Sequence, residues 1–304
     1  MALKSVLAAL ATAAALVSTA ASAQTIALVQ INQQALFFNQ MNEGAQAAAD
    51  EVGAELVIFN ANNDPAAQNN AMETYIAQGV DAIIIVAIDV NGVMPAVEQA
   101  DAAGIPVLAV DAILPDGPQK AQIGVDNMKA GADMAAHFLE ATGGNAKVGI
   151  VGALNSFIQN VRQEGFEKGI EGASGVETVG VVDGRNVQDT ALAAAENLMT
   201  ANPTMDAIYA TGEPALVGAV AAVEAQGATD RVSVFGWDLT AQVIDAIDQG
   251  YVKAVIQQSP YDMGATAVRS AKTLIDGGTV EKVISVPVTI VTKENVDDFR
   301  SIFQ

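Results

Sequence analysis

A chain of 304 residues with 35 acidic and 14 basic side chains carries a formal net charge of −21, and it contains no cysteine. That balance argues against nucleic acid and anionic membrane surfaces as partners, since both are bound through clustered Lys and Arg. The missing cysteine rules out a disulfide or a lipidated-cysteine anchor, and with a single histidine no metal site or other cofactor is expected. The length passes the size at which one hydrophobic core usually keeps growing, so two lobes are expected.

In chain order, residues 1–23 read as a secretory signal peptide. Lys4 supplies the positive start, "SVLAALATAAALV" is apolar but too short to span a bilayer, and "ASA" precedes Gln24 as a small-residue cleavage site. The expected product is released, unanchored, into a bacterial periplasm. From Gln24 on, short apolar runs alternate with stretches of helical period. "TIALVQI" precedes Phe38, Met41, Ala45, Ala48 and Val52, which recur three or four residues apart on one helix face. "AELVIFN" leads to a helix at 66–78, "VDAIIIVAI" to one at 92–103, and "GIPVLAVD" to a loop with Pro115, Gly117 and Pro118. "AQIGVDN" and a helix near 129–141 restart the pattern. The strands "AKVGIVG", "VETVGVVD", "MDAIYATG", "RVSVFGWD" and "VKAVIQQ" follow, each but the last succeeded by a helical stretch. Val- and Ile-rich strands of this kind are covered on both faces, and β-helix-β alternation implies parallel sheets with right-handed crossovers. The expected fold class is α/β, as two doubly wound parallel-sheet lobes.

Ligands of such sheets bind at the carboxyl ends of the strands, where this sequence places Gln30, Asn32, Asn60, Asp111, Asp126, Asn127, Asp183, Glu213, Asp238, Gln257 and Gln258. Each is equally readable as a helix cap or turn former; together they favour a polar cleft. Asp238 follows the only tryptophan, Trp237, at the end of an apolar strand, and a carboxylate there needs a protein partner or a ligand. The motifs of common chemistries are absent: the first β-helix turn, "INQQALFF", lacks the dinucleotide glycines, no Gly-Lys pair exists for a Walker A loop, and G-x-S-x-G does not occur. His137 lies beside Met134 and Phe138 on an amphipathic helix, a structural setting. An enzyme is not expected; a carboxylate pair of the glycosidase type is the only catalytic alternative.

"TIALVQINQQALFFNQMNEGAQAAADEVG", "NNDPAAQ", "GIPVLAVD", "GVDNMKAG", "VRQEGFEKGI", "VFGWD" and "VIQQSPYDMG" occur here in an order and spacing that resemble the ribose-binding-like group of periplasmic sugar-binding proteins of ABC importers, over nearly all of 24–290. The resemblance implies two lobes joined by a three-segment hinge, with crossings at 124–127, 257–260 and 286–290. One lobe would hold 24–125 plus 259–287 and the other 126–258 plus 288–304. It also implies sugar-stacking Phe37 and Phe38, hydroxyl-binding Asp111 and Asp238, a donor Arg162 and a hinge-adjacent Gln258. Asn32, Asn127, Glu213 and Trp237 complete the expected ligand-binding set, with Gln33, Gln34, Asn155 and Asn160 as further candidate donors and acceptors. These roles fit the chemistry: a carboxylate accepts from two vicinal hydroxyls, a guanidinium donates to two oxygens, and an aromatic face covers the C–H side of a sugar.

Ala35, Val86, Ala112, Gly184 and Gly212 stand where ribose binders carry polar or aromatic contacts, which moves the expected ligand away from ribose itself. The function expected is capture of a monosaccharide or sugar alcohol, a small neutral polyhydroxylated ligand, by a monomer that delivers it to an ABC transporter permease. A chemoreceptor is a further candidate partner, and a non-sugar solute such as a signalling molecule or nucleoside is the alternative ligand. Arg162 is expected to serve the ligand, so that its removal leaves the stability of the free protein nearly unchanged; an interlobe ion pair is the alternative role.

Overall fold

A computed structural model describes residues 24–32 and 36–303. The signal peptide expected at 1–23, the departure at Ala35 and the candidates Gln33 and Gln34 lie outside the described residues. The first sheet is built from β1 (Thr25–Gln30), β2 (Glu55–Asn60), β3 (Ala82–Ile85), β4 (Val107–Val110), β5 (Ala121–Gly124) and β11 (Val283–Ser285), in the order β11-β5-β4-β3-β1-β2. The second contains β6 (Asn145–Gly152), β7 (Gly175–Asp183), β8 (Ala207–Ala210), β9 (Ser233–Trp237), β10 (Val252–Gln257) and β12 (Thr289–Val291), in the order β12-β10-β9-β8-β6-β7. The orders superpose strand for strand, so β4 in one sheet and β9 in the other hold the same place.

Residues of opposite parity along a strand feed opposite cores, as a two-residue period requires. On β1, Ile26 and Leu28 enter one core of the first lobe while Ala27 and Val29 enter the other. Helices α1 (Leu36–Val52), α2 (Pro65–Gln78), α3 (Met94–Ala102) and α9 (Pro260–Ile275) cover the first sheet. Around the second sheet lie α4 (Asn127–Thr142), α5 (Phe157–Ile170), α6 (Gln188–Ala201), α7 (Glu213–Ala225) and α8 (Ala241–Gln249), with a 3-10 turn (Val296–Phe299) and α10 (Arg300–Phe303) at the end. Among the described residues no helix is long and apolar enough to cross a membrane.

Two strands were not legible from the sequence. β11 and β12 are three residues each and flank the last passage between the sheets; β12 runs antiparallel to β10, the one departure from parallel pairing. The stretch after β10 is also helical: α9 returns to the first lobe and packs along α1.

The helix pairs nearest the passages between lobes touch backbone to backbone. A Cβ on Gly131 of α4 would stand 2.3 Å from the Arg162 carbonyl oxygen of α5, and one on Gly165 would stand 2.2 Å from the Met128 carbonyl oxygen. Only glycine permits such an approach, and it fixes the height at which α5 presents Arg162.

Candidate functional site

β4 ends at Asp111 and β9 at Asp238, and both residues adopt left-handed backbone, with φ of 63° and 66°. Aspartate tolerates that conformation better than most side chains. In each, the backbone N–H still donates to the neighbouring strand, Asp111 to Ile123 O and Asp238 to Ile256 O, both at 2.8 Å. Equivalent strands thus present one carboxylate from each lobe. Other strand-end polar residues are occupied locally. Asp126 caps α4 through Lys129 N–H, Asp183 accepts from the Leu154 and Arg185 N–H groups, and Gln30 donates to Asn42 while its carbonyl accepts from Ile31 N–H.

Arg162, 6 % exposed, lies on the buried face of α5. Its Nε donates to Asn127 Oδ1 at 2.8 Å and its Nη1 to the Thr211 carbonyl at 3.3 Å. The guanidinium carbon stands over the Trp237 ring, 3.8 Å from the centroid. Trp237 is itself 0 % exposed; its indole N–H donates to Tyr209 Oη at 2.8 Å, and the Tyr209 ring stacks on Phe166. Gln258 Nε2 donates to both oxygens of Asp238 at 3.0 Å.

Of the two readings open for Trp237, a wall of the cleft or of the core behind it, the structure has the second: its π-face backs Arg162 and its polar edge is satisfied internally. One expectation changes: Arg162 is part of the internal packing, bonded to Asn127 and Thr211 and lying over Trp237, and so is not held for a ligand alone.

Burial pushes the Asp238 carboxyl above the ordinary carboxylate range, opposed by the Arg162 charge and the Gln258 hydrogen bonds. Asp111 moves the same way through burial, with Arg162 pulling it down and the Asp238 charge pushing it up. Burial lowers Arg162, against the attraction of Asp238 and Asp111. Glu213 keeps much of its surface in solvent, which screens its interactions; partial burial and then the Asp238 charge move it upward.

Two cavities reach this cluster. One, of about 610 Å³, is lined by Leu36, Phe37 and Gln40 of α1, by Glu213, Asp238, Leu239, Thr240, Ala241 and Gln257, and by Ile302 and Phe303 of α10. The other, of about 380 Å³, holds Asp111 and Asn127 together with the first passage between the lobes. Both are within the range of small-molecule sites. Phe37 lines the larger cavity, while Phe38 meets it edge-on, ring centroids 5.3 Å apart, and both pack on the first-lobe core. Asn32 follows β1, half-buried, and lines neither cavity.

Sequence reasoning missed the supporting network of Gln159, Thr211 and Tyr209. Thr211 Oγ1 donates to Gln159 Oε1 at 2.8 Å, and Gln159 Nε2 donates to Asn186 at 2.7 Å. It also missed α10 as a cavity wall. The "TG" ending β8 was a readable signal for Thr211; nothing in the C-terminal residues marks them as cleft residues.

The described chemistry is that of a binding cleft rich in acceptors, with a single fixed cation. Residues 26–279 match the periplasmic binding protein domain family. The chain is 32 % identical to the ribose import binding protein of Haemophilus influenzae, an alignment covering 91 % of this chain and 94 % of that one. Among solved structures, it is similar to an ABC transporter solute-binding protein from Actinobacillus succinogenes with bound D-allose, at 28 % identity and a TM-score of 0.82, covering 90 % of this chain and 99 % of the other. A solute-binding protein from Bacillus halodurans with bound myo-inositol gives 26 % identity and a TM-score of 0.80, covering 92 % and 98 %. With two α/β lobes that match strand for strand and a family match across most of its length, the chain belongs to the periplasmic binding protein family.

Proposed function

We propose that this protein captures a small neutral polyhydroxylated solute, a monosaccharide or sugar alcohol, between its lobes in the periplasm and delivers it to an ABC transporter permease. The observation that carries this reading is the pair Asp111 and Asp238, one from each lobe at matching strand ends, with the buried Arg162 charge acting on both. Neither carboxylate forms a bidentate ion pair with the guanidinium, whose described hydrogen bonds go to Asn127 and Thr211. Vicinal hydroxyls satisfy both kinds of group at once, donating to carboxylates and accepting from the arginine. Ligands named for relatives, ribose, D-allose and myo-inositol, share that chemistry.

The lobes of this reading are 24–125 plus 259–287 and 126–258 plus 288–304. Closure occurs about the three passages between them. Binding without turnover is the activity in this reading, which is supported by a family and neighbours that are binding proteins. Asp111, Arg162, Asp238 and Gln258 are the central ligand contacts, with Phe37, Asn127 and Glu213 around them.

The direct test is mass spectrometry of any small molecule released when the purified protein is denatured. It is paired with a thermal-shift panel of pentoses, hexoses, inositols, tetritols and pentitols. Saturable stabilisation by members of that panel is expected, with a smaller radius of gyration in scattering when bound. Stabilisation by nucleosides or amino acids alone would overturn the ligand class and leave the binding-protein fold.

A further inference from the structure

Beyond β12 the chain does not trail away. Val296 is buried in the second-lobe core, and Phe299 and Phe303 pack against it. Arg300 then clamps the last turn: its Nη1 and Nη2 donate to the two carboxylate oxygens of Asp248 on α8 at 2.9 and 2.8 Å, and its Nε donates to Asp297 at 2.6 Å. Lys293 adds a bond to the Asp248 carbonyl at 3.0 Å. A two-pronged arginine-carboxylate contact fixes direction as well as distance, and this one holds Ile302 and Phe303 toward the larger cavity.

Across that cavity stand Leu36 and Phe37, which begin α1 in the other lobe. Leu36 is 46 % exposed and Ile302 42 % exposed, so both are among the few large apolar side chains left in contact with water. Ile302 also lines the adjoining cavity, of about 420 Å³, beside Gln258 and the hinge residues Ser259 and Pro260. Apolar residues exposed singly are ordinary. Two of them on different lobes, lining the same cavity above Asp238, define a seam between the lobes.

We propose that the C-terminal helix is the outer wall of the solute cleft and its latch: Ile302 and Phe303 close on Leu36 and Phe37 when the lobes come together, so that residues 300–303 set how long the solute stays bound. The inference rests on reading the cleft as a solute site. Its physical basis is that apolar surface exposed in the open form leaves water only on closure, which favours the closed state without touching the ligand's polar groups. Such a contact acts mainly on the dissociation rate.

The absence of cysteine permits a test that needs no ligand. In the Leu36→Cys/Ile302→Cys variant, a short bismaleimide should cross-link the two thiols at least tenfold faster than in a Leu36→Cys/Val187→Cys control, since Val187 is equally exposed but lies outside the cavity. Cross-linking no faster than the control would overturn the latch. The second arm uses whichever sugar or polyol of the panel stabilises the protein: Ile302→Ser should speed its release about tenfold, and Ile302→Ser with Leu36→Ser little more than either alone, the coupling expected of contacting residues. Additive effects, or an unchanged release rate, would also overturn it. Failure of every sugar and polyol to bind the parent protein refutes the solute reading instead, and leaves the cross-linking result to decide the latch.

Discussion

Replacing Arg162 by alanine tests the link between site and fold. The side chain holds two charge-assisted hydrogen bonds, to Asn127 and Thr211, lies on Trp237, and is the counter-charge for Asp111 and Asp238. A charge-assisted hydrogen bond contributes about 1.5–3 kcal/mol and a desolvated cation–π contact about 2. Removing the buried positive charge also leaves Asp111 and Asp238 without its electrostatic support. These contributions overlap, so the expected loss for the free protein at pH 7–8 is about 3 kcal/mol. At about 2–4 °C per kcal/mol for a chain of this size, the melting temperature should fall by roughly 6–12 °C.

The sign of the pH dependence separates stranded charge from lost packing. Both aspartates are raised in the folded state, so the folded protein binds protons more readily than the unfolded one. Their ionisation therefore costs stability, progressively, as pH rises from the ordinary carboxylate value of 3.8 through the folded-state values. Without Arg162 both rise further and the cost grows. The variant's deficit relative to the parent should then be largest at pH 8 and shrink by half or more toward pH 4, close to the ordinary carboxylate value, where little of the ionisation cost has yet built up. Calorimetry of both proteins at pH 4, 6 and 8 measures this. An equal deficit at every pH would mean that Arg162 acts by packing alone; no deficit at all would refute its structural role.

Asp238→Asn should preserve the fold, since asparagine also tolerates φ of 66°, and should leave the free protein as stable or more stable at pH 7 while weakening solute binding by at least tenfold; isothermal titration with a tight-binding sugar that fails to separate the variants would remove Asp238 from the site. Solute affinity itself should rise between pH 4 and 7, because ionised Asp111 and Asp238 accept from hydroxyls more strongly than the protonated acids do and both titrate above the usual range; a flat profile by titration would contradict direct carboxylate contact. Trp237, sealed from water but touching Arg162, should report binding as a saturable emission change with a dissociation constant near or below about 1 μM, equivalent to about 8 kcal/mol, and Arg162→Lys, which lacks the guanidinium that stands over the ring, should mute the change even where affinity persists. Gly131→Ala should destabilise by about 1–3 kcal/mol through overpacking and also weaken binding, because the added carbon would meet the Arg162 carbonyl; loss of stability with unaltered affinity would separate α4–α5 packing from the placement of Arg162.

Apolar runs and their spacing were enough to read ten of the strands, both lobes and the parallel layout, because burial on both faces leaves an unbroken Val and Ile signature. The positions of Asp111 and Asp238 were legible for the same reason: the strand ends where the apolar run does, and ligands of such sheets gather there. The short strands β11 and β12 were not legible, since three residues carry no period and their pairing is chosen by neighbours far along the chain. Which strand-end polar residues face the cleft was likewise undecidable from composition. Asp126 is exposed and caps a helix through a local N–H, whereas Asp111 sits in left-handed backbone at its strand end, and nothing in composition separates the two. Tertiary structure also decided between the two readings of Trp237, a wall of the cleft or of the core behind it, in favour of the second, because a guanidinium from α5 covers its face. It brought Ile302 and Phe303, near the far end of the chain, to the cavity that begins at Leu36. Local sequence determines what each segment buries; which buried and half-buried groups meet across the lobes depends on the order of the strands and the close crossing of the helices, and those are properties of the whole chain.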